Sequence, residues 1–171
     1  MTKCEIKLKF EDSSDIVTMK DKDLIKCIPL LVRAISSQTT DWESEDTVVT
    51  DPLAIPFPKE AGDFLFKHLR EYVSPDKREE ETTLEHYPEA AKKNEEVLKY
   101  IIELANFLEC LDFVQCIGFV IAQKLKEWDV EKIAAYMGLE CLAEDDGYDE
   151  DNEWMHPPLA ALQDANGINN A

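Results

Sequence analysis

The feature that most constrains the fold is an apolar periodic region in the middle of the chain, between residues 98 and 125. Its large apolar side chains recur every three or four residues, the spacing that places them on one face of an α-helix. They are Leu98, Ile101, Ile102, Ala105 and Leu108, followed by Leu111, Val114, Ile117, Val120, Ile121 and Leu125. The pattern predicts two helices that cover each other in one hydrophobic core.

The N-terminal third of the chain predicts a β-hairpin followed by a helix. Apolar residues alternate with charged ones from Cys4 to Phe10, which is the period of a half-buried strand. A turn at residues 13–15 leads into the short apolar segment 16–19. From Asp21 to Ile35 the spacing becomes helical and predicts one helix, with a ragged first turn caused by Pro29.

The region between this helix and the apolar centre is less regular. Residues 36–47 are polar and acidic, and the proline-rich stretch 52–58 fits only a short strand or an extended segment. A helical pattern from Ala61 to Tyr72 is broken at residues 74–76. The charged residues 77–83 have no apolar period and predict an exposed loop.

The C-terminal part predicts one short helix and a tail. Asp129 suits the N-cap of a helix that runs to Met137, and Gly138 suits its C-cap. Residues 140–153 are strongly acidic without one Lys or Arg and end beside Trp154. We expect residues 140–154 to be mobile without a partner and the tail to be disordered. The predicted division is a core at 1–126, C-terminal helices at 127–155 and the tail at 156–171.

The charge balance excludes some partners. The chain has 37 acidic residues against 18 Lys and Arg, which gives a formal net charge of -19. Such a chain repels the phosphates of nucleic acid and of anionic lipids, so neither nucleic acid nor a membrane is an expected partner. The alternating N-terminus contains neither a signal-peptide core nor a transmembrane run.

Residue types that support catalysis or bind metal occur without the spacing that these functions need. The three histidines are far apart, the five cysteines lack the two-residue spacing of a zinc or redox pair, and the glycines form no phosphate loop. We therefore expect no enzyme, no metal site and no cofactor. The cysteines are interpreted as packed, reduced thiols of an intracellular protein: Cys4, Cys27, Cys110, Cys116 and Cys141.

Several segments together resemble a known family. They are residues 101–109 (Ile-Ile-Glu-Leu-Ala-Asn-Phe-Leu-Glu), 114–126 and 129–133, the first strand around 6–8, and Ile55-Pro56-Phe57-Pro58. Together they resemble the S-phase kinase-associated protein one family, the adaptor subunit of SCF ubiquitin ligases. The resemblance covers roughly residues 4 to 154. It implies an α/β (α+β) BTB/POZ-like core with extra C-terminal helices.

The resemblance also implies a function and the residues that perform it. The chain would be a non-catalytic adaptor that bridges a cullin scaffold to F-box proteins in the cytoplasm and nucleus. Asn106 and Phe107 would face the cullin, with Phe107 standing where the family usually has Tyr. The implied F-box contacts are Ile102, Val114, Ile117, Ile121, Leu125, Ile133, Met137 and Trp154.

Other interpretations remain open at this point. Taken alone, Asn106 and Phe107 are an ordinary helix end, and most of the stripe from Leu98 to Leu125 is core in any fold. A structural protein of the same fold that self-associates is the second candidate, and a homodimer is left open for the unbound chain. An elongin C-like adaptor is a third candidate, against which the predicted helices and Trp154 after Leu125 argue.

Overall fold

The computed structural model describes residues 3–139 as an α+β protein, which confirms the predicted fold class. The acidic run after Gly138-Leu139, Trp154 and the predicted tail lie outside the described residues. The chain divides into two compact units after Glu127. The first unit contains the sheet and six helices, and the described part of the second contains one helix.

The sheet is organised around its first strand, β1 (Cys4–Phe10). Its alternating residues Cys4, Ile6, Leu8 and Phe10 are all buried, as the period of two requires. Strand β2 (Ile16–Met19) pairs with it in antiparallel fashion, with Leu8 opposite Val17. The predicted β-hairpin is therefore confirmed.

Two short strands lie along the other edge of β1. Strand β3 (Thr47–Val48) runs parallel beside Cys4 and Glu5, and β4 (Leu53–Ile55) runs parallel beside Leu8 to Phe10. The prolines that flank β4 limit its length because proline has no N–H to donate to a neighbouring strand. The predicted short, extended segment is confirmed.

Two helices replace the single helix predicted between Asp21 and Ile35. Helix α1 (Lys22–Lys26) begins at Asp21, whose side chain accepts hydrogen bonds from the N–H groups of Asp23 and Leu24. Helix α2 (Pro29–Ser36) begins at the proline itself, after an extended Ile28. The prediction of one helix is wrong because Pro29 cannot donate a helical hydrogen bond and instead starts a new helix.

Helix α3 (Lys59–His68) contacts the sheet through a glycine. Gly62 is buried, and the Phe10 ring occupies the space that a side chain would need there. The helix ends at His68, four residues before the predicted end at Tyr72. Residues 69–71 form a turn, and two short 3-10 helices follow at Pro75–Lys77 and Leu84–His86.

The two central helices are confirmed. A short helix α4 (Pro88–Ala91) precedes α5 (Glu95–Phe107) and α6 (Leu111–Leu125), which pack along each other, while α5 also packs on α3. Asn94 caps α5 by accepting a hydrogen bond from the Val97 N–H. Helix α5 buries Leu98, Ile101, Leu104 and Ala105, and α6 buries Phe113, Cys116, Ile117 and Val120.

Two aromatic residues of polar segments belong to the core. Trp42, in the acidic stretch 36–47, is buried, and the backbone carbonyls of Trp42 and Glu43 accept hydrogen bonds from the Lys22 ammonium. Tyr87 is fully buried, and its hydroxyl donates to the Val73 carbonyl at 2.6 Å. The predicted loop 77–83 is mostly exposed, although Arg78 lies partly buried against the Tyr87 ring.

The second unit begins at Trp128 and contains helix α7 (Val130–Met137). The Asp129 side chain accepts a hydrogen bond from the Lys132 N–H at 2.8 Å, which confirms the predicted N-cap. Gly138 closes the helix with a left-handed φ of 71°, a conformation that glycine adopts without steric cost. The predicted C-cap is also confirmed.

The contact between Phe10 and Gly62 generates a stability prediction. In Gly62→Ala the new Cβ would lie 2.3 and 2.5 Å from two ring carbons of Phe10, so the ring must move within a packed core. We expect a loss of about 1–3 kcal/mol in the free energy of unfolding, measured by urea denaturation. Gly118→Ala is the control, because its Cβ meets only Ile102 Cδ1 at 3.7 Å and the helix gains about 1 kcal/mol in propensity. An equal loss in both variants would contradict this account.

Candidate functional site

The connection between α5 and α6 is a sharp turn of three residues, 108–110. The Cys110 N–H donates to the Ala105 carbonyl at 2.8 Å, and the Glu109 N–H donates to the Asn106 carbonyl at 3.0 Å. This pattern closes the helix as a Schellman motif and requires a left-handed residue, which is usually glycine. Here the residue is Glu109, with φ of 63°. A side chain in this conformation costs on the order of 1–3 kcal/mol.

Arg33 of α2 pairs with this glutamate through two hydrogen bonds. Its Nη2 donates to Glu109 Oε1 at 2.7 Å, and its Nη1 donates to Oε2. These hydrogen bonds and the positive charge of Arg33 hold the pKa of Glu109 below its ordinary value, and Glu109 raises the pKa of Arg33. The Leu30 N–H also reaches the Leu108 carbonyl at 3.5 Å. Helix α2 therefore contacts the turn at two points.

The predicted cullin-facing residues lie at the end of α5, directly before the turn. Asn106 is exposed, and Phe107 keeps 36% of its surface exposed. The Phe107 ring lies against Phe57 of the proline-rich segment, with 5.6 Å between centroids and an interplanar angle of 58°. We call Asn106, Phe107 and Phe57 the Phe107 patch. Residues 50 positions apart in the sequence meet in this patch to form one polar and aromatic surface.

A second apolar surface runs along α6. Val114, Gly118, Ile121 and Leu125 are spaced as one helix face, and each is only partly buried. We call this face the α6 stripe. Ile102 of α5, also partly buried, lies beside it, with its Cδ1 close to Gly118.

Ile117 differs from the other predicted F-box contacts on α6. Its side chain is fully buried in the core of the first unit, beside the buried face formed by Phe113, Cys116 and Val120. It therefore does not form part of the α6 stripe. Helical spacing alone did not separate Ile117 from its partly exposed neighbours.

Helix α7 presents two different faces within its own unit. Ile133 is partly buried and Met137 is 59% exposed, so these two predicted contacts lie on a face that is largely open. On another face Lys132 Nζ lies 3.9 Å from the centroid of the Trp128 ring, which also meets Tyr136 edge-on at 5.6 Å. The spacing of four residues between Trp128, Lys132 and Tyr136 was a signal of this cluster in the sequence. The last predicted contact, Trp154, lies outside the described residues.

The cysteines of the described part are free thiols, and they differ in environment. Burial is the main cause that raises the pKa of Cys110 to about 12, and burial also raises the pKa values of Cys4 and Cys116. Thiols of this kind are poor nucleophiles and poor metal ligands at neutral pH. Cys27 is exposed, which makes the prediction of a packed thiol wrong at this position because the end of α1 leaves it at the surface.

Within residues 3–139 no group of three or more His, Cys, Asp or Glu side chains is arranged to hold a metal ion. Buried His68 has its Nδ1 2.8 Å from Glu71 Oε2, and its ring stacks on Tyr72. Both interactions orient the ring within the core of the first unit.

None of the helices in the described part of the chain has the length and apolar character needed to cross a membrane.

Comparison of the sequence with protein-family models gives no match, and comparison with curated proteins gives none either.

The pair between Arg33 and Glu109 generates a pH prediction. A carboxyl group whose pKa falls on folding stabilises the fold above its ordinary value of about 4.3, and this contribution disappears as the pH falls through the lower folded value. We expect Arg33→Gln to return the pKa of Glu109 towards the ordinary value, measured by NMR titration of its carboxyl carbon. Arg70→Gln is the control, because it removes a similarly exposed ion pair with Asp21. It should leave the pKa of Glu109 unchanged. If the pKa of Glu109 is the same in Arg33→Gln as in the wild type, Arg33 is not the cause of its lowered value.

Proposed function

We propose that this protein is a non-catalytic adaptor of an SCF-type cullin–RING ubiquitin ligase, which bridges a cullin scaffold to F-box proteins. The proposal rests on the resemblance of residues 4 to 154 to the S-phase kinase-associated protein one family. The observation that carries it is that one helix pair presents two separate surfaces. A bridging subunit needs such an arrangement, because each partner must bind without displacing the other.

The geometry of α5 supports the separation of the two surfaces. Ile102 lies beside the α6 stripe, whereas Phe107 lies in the Phe107 patch. They are five positions apart along the helix, which places their side chains about 140° apart around its axis. Helix α5 is packed between α3 and α6, so both surfaces belong to one well-packed framework.

The Phe107 patch suits a cullin contact. An aromatic ring that is fixed against a second ring and still partly exposed offers a rigid apolar surface, and such anchors dominate the energy of protein interfaces. Asn106 adds an exposed amide beside it. Phe107 lacks the hydroxyl of the family's usual Tyr, so the proposed contact depends on the face of the ring and on Asn106.

The α6 stripe and the open face of α7 suit F-box helices. Amphipathic helices bind by laying an apolar face into an apolar groove, with anchors at intervals of three and four residues. The proposed anchoring positions in the first unit are Ile102, Val114, Ile121 and Leu125, and those in the second are Ile133 and Met137. Trp154 completes the proposed F-box contacts from its position further along the chain.

The charge and the cysteines support the rest of the proposal. A net charge of -19 speeds encounter with basic partner surfaces and disfavours nucleic acid and anionic membranes. Reduced thiols fit a protein of the cytoplasm and nucleus. In this role the protein needs no cofactor and catalyses no reaction.

A structural protein that self-associates is the second candidate. The observation in its favour is the exposure of large apolar side chains, with Leu111 at 64% and Leu139 at 66%. Light scattering of the purified chain with and without an F-box peptide distinguishes the two functions. A homotypic assembly that the peptide leaves intact favours the structural role, whereas a monomer or a dimer that the peptide dissociates favours the adaptor. An elongin C-like adaptor is less favoured because the chain has α7 beyond its core.

The first functional prediction concerns the Phe107 patch. We expect Asn106→Lys with Phe107→Lys to abolish binding to the N-terminal domain of a cullin, because a charged side chain replaces the apolar anchor. Binding of an F-box peptide should stay within about twofold of wild type, since the α6 stripe is unchanged. Both affinities are measured by isothermal titration calorimetry.

Leu84→Lys is the matched control, because Leu84 is exposed to nearly the same extent as Phe107, at 38% against 36%, and lies in a different segment. It should retain both partners. If the double variant loses both partners with a normal circular dichroism spectrum, the separation of the two surfaces is wrong.

The second functional prediction concerns the α6 stripe. Ile121→Lys with Leu125→Lys should weaken F-box binding by at least about a hundredfold, because two charges would be desolvated at the proposed helix contact. Cullin binding should persist. Ala122→Lys, an exposed change on the same helix, is the control and should bind both partners. If the double variant binds the F-box peptide with wild-type affinity, the α6 stripe is not the F-box contact.

A further inference from the structure

The turn between α5 and α6 is unusual because a charged residue occupies its left-handed position. Among the residues that the structure describes, Glu109 is the one non-glycine residue with a positive φ. Glycine adopts this conformation freely, whereas a residue with a Cβ is disfavoured in it. An additional interaction is therefore needed to keep the turn in this form.

Arg33 supplies that interaction from 76 positions earlier in the sequence. Its two hydrogen bonds to the Glu109 carboxylate attach the turn to α2. A fork of two parallel bonds restricts the direction of the glutamate side chain more than a single bond does. The bond from the Leu30 N–H to the Leu108 carbonyl attaches the neighbouring residue to the same helix.

The turn also determines how the Phe107 patch is presented. The Glu109 N–H is bonded to the Asn106 carbonyl, and Phe107 lies between these two residues in the chain. If residue 109 left the left-handed conformation, this hydrogen bond and the adjoining one at Cys110 would break. The last turn of α5 would then fray, and the Phe107 ring would lose its fixed position against Phe57.

We infer that Arg33 is a positioning residue, which holds the left-handed turn at Glu109 and thereby fixes the Phe107 patch in the geometry that the cullin scaffold binds. The binding part of this inference rests on the proposed adaptor function. The part that concerns the turn does not need a partner. The two parts are therefore tested by separate measurements.

The test compares the wild type with Arg33→Gln, Glu109→Gly and the double variant that carries both changes. Hydrogen exchange at the Cys110 amide, a residue that is the same in all four proteins, reports the turn. We expect Arg33→Gln to raise exchange there by roughly fivefold or more, because the disfavoured conformation has lost its restraint. The double variant should return to the wild-type rate, because glycine holds the left-handed conformation without Arg33.

Affinity for the N-terminal domain of a cullin should change in the same variants as the exchange rate does. Arg33→Gln should weaken it by about tenfold, and adding Glu109→Gly should restore it although no charge is restored. Arg70→Gln is the control, because it removes an exposed pair of similar accessibility with Asp21 and should change neither measurement. Rescue by glycine is the result that a direct contact between Arg33 and the cullin would not produce.

Three outcomes would overturn the inference. Unchanged exchange in Arg33→Gln would show that the pair does not hold the turn. Weakened cullin binding that glycine fails to restore would show that Arg33 touches the partner directly, and full binding by Arg33→Gln would show that the patch does not depend on the turn. If the wild type binds no cullin, the adaptor function fails, and the exchange measurement still decides whether Arg33 holds the turn.

Discussion

The contact between the Phe10 ring and Gly62 is the constraint on which the rest of the first unit depends. One face of β1 is fully buried, and its last residue directs a large ring at the backbone of α3. Because Gly62 has no side chain, α3 approaches the sheet closely, and α5 packs against α3 while α6 packs against α5. The position of the two central helices is thus determined by a strand about 90 residues before them.

Helix α5 connects the core to both candidate surfaces. Its buried side, which includes Leu98 and Leu104, belongs to the core, and Ile102 borders the α6 stripe. Its C-terminal end presents Phe107 before the turn that Arg33 holds. Because a close-packed interior is hard to compress, α5 keeps the two candidate surfaces of the first unit at a fixed spacing.

Predictions from the sequence succeeded where the determining contacts are local. The alternation of β1, the helical periods of α5 and α6, and the caps of α7 at Asp129 and Gly138 depend on residues within a few positions of one another. The break before Pro29 was underestimated because proline can either kink a helix or begin one. Trp42 in the core and the pair of Arg33 with Glu109 have no local pattern, since they depend on contacts between distant segments.

The sequence by itself determined the α+β character and the periods of the strands and helices. Only the tertiary structure decided which apolar residues are covered. Ile117 and Ile121 belong to the same helical pattern, yet the first is fully buried and the second lies partly open. The physical reason is that periodicity orients a side chain relative to its own helix axis, whereas burial depends on which neighbouring element packs against that side.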